Sequence, residues 1–174
     1  MRVFGYGSLV NCGTHRWDAE PAVLNGWRRV WVPTAERPAA FLSVERAQGS
    51  HIEGVFLNVP QSDMAALDLR ETRYDRIDVP GGIVYSVPER NMTDGSAPIL
   101  QSYLDVVLQG FDSVFGSAGV ERFLATTHGW DAGIYQDRDA PVYPRAIPLR
   151  DTFHAEQLAA CDAKLGSVPV VEKL

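Results

Sequence analysis

The sequence has little of what would take it out of the ordinary globular class. Among its 174 residues there are two cysteines, Cys12 and Cys161, far apart in the chain. No Cys-x-x-Cys pair occurs, so a thiolate zinc site is not expected and two free, reduced thiols are. Clustered lysine and arginine are also missing. The net charge is −6, and the densest basic step, Arg28-Arg29, is flanked by Trp27, Val30 and Trp31, as in a solvated strand face. A broad phosphate-binding surface needs many neighbouring cations to release counterions, so nucleic acid is not an expected partner. Long apolar runs are absent. The apolar stretch at the N-terminus is too short for a signal peptide, and no segment has the length to span a bilayer. The expectation is therefore no membrane contact and, by default, a cytoplasmic location. Neither G-x-x-x-x-G-K-[ST] nor G-x-G-x-x-G is present, since Val10 stands where the latter needs glycine, which disfavours nucleotide binding.

What remains is a chain of ordinary apolar content, 45%, long enough to bury a core without disulfides or metal. It is read as one domain over residues 1–174, with a peripheral tail from about residue 150. Residues 2–5 form a short strand ending in glycine. Val23 to Val32 reads as a strand broken by Asn25-Gly26, a turn pair. Ala40 to Val44 and Ile52 to Val59 are two further strands. Ser62 is placed as the N-cap of a short helix ending near Arg70, with Met64, Leu67 and Leu69 as its apolar face. Tyr74 to Val79 and Ile83 to Val87 are strands joined by Pro80-Gly81-Gly82. Ile99, Leu100, Tyr103, Leu104, Val107, Leu108 and Phe111 repeat at helical spacing behind Pro98. Gly116 interrupts that helix, and Val120, Phe123 and Leu124 begin another that ends by His128-Gly129. Residues 137–149 are rich in Asp, Arg and Pro and read as an extended loop. His154 to Leu165 is a last helical candidate before a mobile end. Strands first and helices second favour an α+β fold, with a mixed or antiparallel sheet curling toward a small barrel.

Two places carry candidate chemistry. Tyr6-Gly7-Ser8-Leu9 follows the first strand directly, and glycines at 5 and 7 let the backbone turn sharply and approach a ligand. Exposed backbone N–H groups in such a turn form an anion-binding concavity. Ser8 raises a hydrolase reading, with His15, His51, His128 and His154 as possible partners. The G-x-S-x-G elbow is absent, however, because Tyr6 and Val10 hold its glycine places. The second place is Glu71, at a junction between helix and strand in Leu67-Asp68-Leu69-Arg70-Glu71-Thr72-Arg73-Tyr74. In isolation it reads as a solvated charge paired with Arg70 or Arg73.

Val3-Phe4-Gly5-Tyr6-Gly7-Ser8-Leu9 resembles the signature of the γ-glutamylcyclotransferase-like superfamily, including its AIG2-like and ChaC-like branches. Further motifs follow in that family's order. They are the glycine-valine step Glu53-Gly54-Val55-Phe56, the segment Leu67-Asp68-Leu69-Arg70-Glu71, the strand entry Tyr74-Asp75-Arg76-Ile77, and Tyr103 ahead of an apolar helix. One departure is Thr72, where the family often has glycine after the glutamate. The resemblance implies an α+β fold built on a small mixed or antiparallel barrel with flanking helices. It implies that Tyr6, Gly7, Ser8 and Leu9 form the substrate loop, that Glu71 is the catalytic acid/base, and that Tyr103 lines the substrate pocket. It also implies a small-molecule γ-glutamyl amide as substrate, cyclised to 5-oxoproline with no cofactor and no metal. The alternatives from the residues are a non-catalytic binder of a carboxylate-bearing metabolite and a Ser8-dependent amide hydrolase. The pattern selects neither an oligomeric state nor the amine half of the substrate. The 128–174 segment has no counterpart in the resemblance, and substrate choice is expected to reside there.

Overall fold

A computed structural model describes residues 1–35, 37–149, 165 and 168–171. The main sheet has six strands, in the order β4-β5-β1-β3-β2-β7. These are β1 (Arg2–Gly5), β2 (Ala19–Thr34), β3 (Arg37–Asn58), β4 (Asp75–Val79), β5 (Gly82–Ser86) and β7 (Thr127–His128). The sheet is mixed: β1 runs antiparallel to β3 and parallel to β5, while β2 runs antiparallel to β3 and parallel to β7. A second, all-parallel sheet joins β6 (Ile99–Leu100), β8 (Ile134–Tyr135) and β9 (Val170–Val171). Two helices among the described residues pack on the sheet, α1 (Met64–Arg70) and α2 (Gln101–Thr126), the latter broken at Gly116. The fold is therefore α+β with a mixed sheet, as expected.

β1 lies between two strands of the sheet, which explains its uninterrupted apolar run: Val3 and Phe4 are buried on opposite faces. One face of the sheet packs on α2 through Leu104, Val107, Leu108, Phe111 and Phe123, all buried. The helix does not begin at Pro98 as the apolar spacing suggested. Ile99 and Leu100 are extended and pair with β8, so the same apolar residues serve a strand first. The break at Gly116 falls where the sequence placed it, at φ 68° and ψ −174°, a conformation that no helix tolerates.

The hairpin β2–β3 is longer and more continuous than its sequence suggested. Asn25-Gly26 does not turn the chain. It makes a register shift between Asn25 and Trp27 within a single 16-residue strand, as a bulge does. The Ala40 and Ile52 segments are likewise one strand of 22 residues, paired with β2 on both sides of a break at residues 47–50, which lie opposite Gly26. The β4–β5 turn is shorter than expected: Val79 pairs with Gly82, leaving only Pro80 and Gly81 in the connection.

Three further expectations are corrected. Gln61–Asp63 form a 3₁₀ turn, and no side chain caps α1; the Asp63 carboxylate instead accepts from Trp17 Nε1 (2.8 Å) and Arg16 Nη2 (2.9 Å). Met64 and Leu67 are buried, but Leu69 points to solvent, since only the i, i+3 pair falls on the inner face of so short a helix. The Arg28-Arg29 step is only half solvated. Arg28 is exposed and pairs with Glu45 (2.5 Å), whereas Arg29 is 1% exposed. Its guanidinium lies 4.9 Å from the centroids of both Phe111 and Phe123. It donates to Tyr6 O (3.1 Å), Thr126 Oγ1 (3.2 Å) and Glu53 O. Burial pulls its pKa down to about 9, so the charge persists at neutral pH.

Cys12 is free and exposed, and Cys161 lies outside the described residues. The same is true of the His154 to Leu165 helix except Leu165, which is buried. Val170 and Val171, assigned by sequence to a mobile end, pair with β8. Among the described residues no helix is long and apolar enough to cross a membrane.

Candidate active site

At the end of β1 the chain turns through Tyr6 and Gly7 into a 3₁₀ turn, Ser8–Val10. The turn closes by Val10 N–H donating to Gly7 O (2.9 Å) and Asn11 N–H to Ser8 O (3.1 Å). Gly7 is required by crowding. A Cβ there would stand 2.8 Å from the Tyr103 hydroxyl and 3.2 Å from Leu42 Cδ2. From the opposite side, α1 delivers Glu71. The Glu71 N–H donates to Leu67 O (2.9 Å), its carbonyl accepts from Tyr74 N–H (2.8 Å), and Thr72 Oγ1 donates to Leu69 O (2.7 Å). These bonds satisfy the last carbonyls of the helix and fix the junction. Asp68 anchors α1 to the sheet, accepting from Tyr85 Oη (2.6 Å) and Arg76 Nε (2.8 Å).

The two pieces face one cleft. Its inner recess, about 30 Å³, is lined by Tyr6, Gly7, Ser8 and Leu9 together with Glu71 and Tyr103. All six residues singled out from the sequence thus meet in one place. A wider chamber of about 340 Å³ shares Ser8, Glu71, Tyr74 and Tyr103 with the recess, and Phe41, Tyr143 and Arg145 bound its outer part.

Arg70 binds the site together. Its Nε stands 3.1 Å from Glu71 Oε1, Nη2 donates to Ser8 Oγ (3.1 Å), and Nη1 donates to Thr14 O (3.0 Å). Both partners are well shielded, the Arg70 side chain being 9% exposed and that of Glu71 14%. Glu71 is therefore paired with Arg70 as its sequence suggested, but it is not a solvated charge. Burial raises its pKa above the ordinary glutamate value, while Arg70 and Arg145 oppose the rise. Burial also raises the pKa of Tyr6, Tyr74 and Tyr103, which keeps these hydroxyls neutral. Tyr6 contributes its ring to the recess; its hydroxyl donates to Tyr85 O (2.8 Å).

No histidine among the described residues completes a serine site, and His154 lies outside them. His15 Nε2 lies 3.0 Å from Leu9 O, and Trp17 N–H donates to His15 Nδ1 (3.2 Å), which occupies both ring nitrogens. No histidine lines the cleft among the described residues. Nor do the described residues contain a cluster of three or more His, Cys, Asp or Glu side chains able to hold a metal ion.

Reading the sequence missed Arg70 as a site residue, although it immediately precedes Glu71 in the last turn of α1. It also missed Tyr143 and Arg145. They come from an irregular loop without periodicity or motif, and only tertiary packing brings them to the cleft.

A glycine-turn loop and a shielded glutamate thus share one cleft of an α+β fold. Residues 3–95 match the family model described as gamma-glutamyl cyclotransferase, AIG2-like, and the chain belongs to that family. Solved structures similar in fold include a gamma-glutamyl cyclotransferase (TM-score 0.58, 17% identity, covering 72% of this chain and 87% of that one). Another is the uncharacterized protein loc79017 from Homo sapiens (TM-score 0.57, 18% identity, covering 72% and 86%). A third is YkqA from Bacillus subtilis (TM-score 0.56, 19% identity), where the match covers 70% of this chain and 52% of that one, about half its length. No curated protein matches the sequence.

Proposed function

We propose that this protein cyclises a γ-glutamyl amide to 5-oxoproline and releases the free amine. One observation carries the reading: the Glu71 carboxylate, shielded and held by Arg70, faces the same recess as the Tyr6–Leu9 loop. Family membership supports it.

The chemistry needs little from the protein beyond placement and proton transfer. The substrate's α-ammonium is not nucleophilic until it loses a proton, and Glu71 accepts that proton. The freed amine attacks the γ-carbonyl carbon of the same molecule, a step that gains from orientation alone. Charge develops on the carbonyl oxygen, and N–H groups of the 6–9 loop stabilise it or hold the α-carboxylate. The γ-amide C–N bond then breaks as Glu71 returns its proton to the departing nitrogen, and the second proton shed by the attacking nitrogen passes to the released amine, which leaves as an ammonium. Water is neither consumed nor released. A glutamate of raised pKa suits both proton steps better than one of ordinary acidity.

The Ser8 hydrolase reading is less well supported. The Ser8 hydroxyl accepts a hydrogen bond from a guanidinium, which cannot act as its base, and His15 is committed elsewhere. A non-catalytic binder of carboxylates gives no role to a shielded glutamate of raised pKa beside the loop.

The test is 5-oxoproline release from a panel of γ-glutamyl amides by wild type and Glu71→Gln. Loss of the acid/base is expected to cost on the order of 10²–10⁴ in rate. A folded Glu71→Gln variant within a few-fold of wild type removes Glu71 from the mechanism, and a wild type inert to the whole panel removes the reading.

A further inference from the structure

Resting on the cyclotransferase reading, we infer that His15 is a positioning residue for the reaction: its neutral ring, with the proton on Nε2, ties back the Leu9 carbonyl and so holds the substrate loop in its turn. The chain after β1 makes two successive 3₁₀ turns, Ser8–Val10 and Cys12–Thr14, and His15 follows them. The carbonyls of Gly7, Ser8 and Leu9 are all taken up within this segment. Gly7 O accepts from Val10 N–H (2.9 Å), and Ser8 O accepts from Asn11 N–H (3.1 Å) and Thr14 Oγ1 (2.9 Å). Leu9 O has its partner in His15 Nε2 (3.0 Å). An anion site is made by presenting N–H groups and keeping carbonyls back, and these bonds do the second part. The Leu9–Val10 peptide is held at both ends, by its N–H on Gly7 O and by its carbonyl on His15. Turning that peptide over breaks both bonds and opens the turn that lines the recess.

The partners dictate the state of the ring. Leu9 O can only accept, so Nε2 carries a proton; Trp17 N–H can only donate (3.2 Å), so Nδ1 carries none. A second proton, on Nδ1, would set two N–H groups against each other. The charges around the half-buried ring do not favour that proton either. From α1, Arg70 donates to Thr14 O (3.0 Å), one residue before His15, and its charge opposes a second cation there. The Asp63 carboxylate, ahead of α1, is engaged by Arg16 and by the indole of Trp17, whose ring stacks on that of His15 with centroids 5.6 Å apart. Burial is the largest influence on the His15 pKa and lowers it; the bond to Leu9 O opposes this, and Arg70 adds to it. The same Arg70 binds Glu71 and Ser8, so histidine, loop and proposed acid/base form one connected set. The ring that is unfit to serve Ser8 as a base is held instead as a fixed donor to the loop.

Two variants separate the two bonds of the ring. His15→Gln sets an amide nitrogen near the place of Nε2 and keeps a donor for Leu9 O. His15→Asn sets an amide oxygen near the place of Nδ1 and keeps the acceptor for Trp17 N–H. With the γ-glutamyl amide that wild type turns over fastest, His15→Asn is expected to lose about tenfold or more in kcat/KM and His15→Gln to stay within about threefold, both assayed well below their melting temperatures. The low-pH limb of kcat/KM in wild type is expected to be steeper than one ionisation gives, because Glu71 and His15 must both be deprotonated. In His15→Gln it relaxes to the slope of Glu71 alone. Two-bond nitrogen–proton correlation spectra of isotope-labelled protein are expected to show His15 protonated at Nε2 only. A ring protonated at Nδ1 overturns the inference. So does wild-type activity in His15→Asn, so do equal losses in both variants that track their melting temperatures, and so does a limb whose slope His15→Gln leaves unchanged. Each of these leaves the cyclotransferase reading intact. Release of 5-oxoproline from no γ-glutamyl amide removes the cyclotransferase reading, and the inference with it.

Discussion

The guanidinium of Arg70 holds Glu71 and Ser8 together, with Nε 3.1 Å from Glu71 Oε1 and Nη2 3.1 Å from Ser8 Oγ. The proposed acid/base and the turn opposite it are therefore not independent. One cation contacts both, and its charge opposes the rise in the Glu71 pKa that burial causes.

The pH dependence of kcat/KM should report this coupling. Glu71 must be ionised to accept the substrate's proton, so activity rises with pH through its pKa, and that limb is expected above the ordinary glutamate range. Arg70 favours the ionised form, so Arg70→Gln raises the pKa and moves the limb to higher pH. A limb that stays in place or moves down would show that the titrating group is not Glu71. Stability follows the same sign. The folded state holds this proton more tightly than the unfolded chain, so the contribution of Glu71 falls as pH climbs from the ordinary glutamate value through the raised one. Glu71→Gln should flatten that part of the stability profile in chemical denaturation.

Ser8→Ala should leave most of the activity. The variant loses one hydrogen bond from a charged donor, worth about 1.5–3 kcal/mol at most, and Arg70 keeps its bonds to Glu71 and Thr14. Because that bond is made before and during the reaction alike, its loss falls mainly on stability, and a rate within about tenfold of wild type is expected, with no serine-linked intermediate in mass spectrometry of stopped reactions. Complete loss in a folded variant, or a trapped acyl-serine, would restore the hydrolase.

Arg29→Met tests the support beneath the loop. Methionine fills part of the space between Phe111 and Phe123 but offers no donor, so Tyr6 O and Glu53 O lose their partner. A destabilisation of roughly 2–4 kcal/mol is expected from unsatisfied buried carbonyls, read as a lower urea midpoint at unchanged m. Because Tyr6 opens the substrate loop, kcat/KM should fall as well, even well below the unfolding transition. Unaltered stability would mean that the buried charge costs as much as its hydrogen bonds return.

Much of this arrangement was written locally in the sequence. Gly116 breaks its helix and Pro80-Gly81 turns its hairpin, because backbone dihedral preferences act within a few residues. The Tyr6–Leu9 loop was legible for a related reason, since glycines mark an element boundary there, whereas Glu71 read locally as a solvated charge and stood out only through the family resemblance. Other features needed the folded chain. Two neighbouring arginines, Arg28 and Arg29, have the same local character, yet one is solvated and the other buried. Residues 6, 53, 111, 123 and 126 decide that, and they converge only in three dimensions. Asn25-Gly26 reads as a turn, but pairing with β3 on both sides of it keeps the two halves in one strand and leaves a register shift in place of a reversal. Arg145 carries no motif. It lines the cleft on a loop that Asp137 and Arg138 tie to α2, a tie made only in the folded chain. Sequence alone determined which groups were available for the chemistry. Burial, a property of the whole chain, decided which of them would face one another.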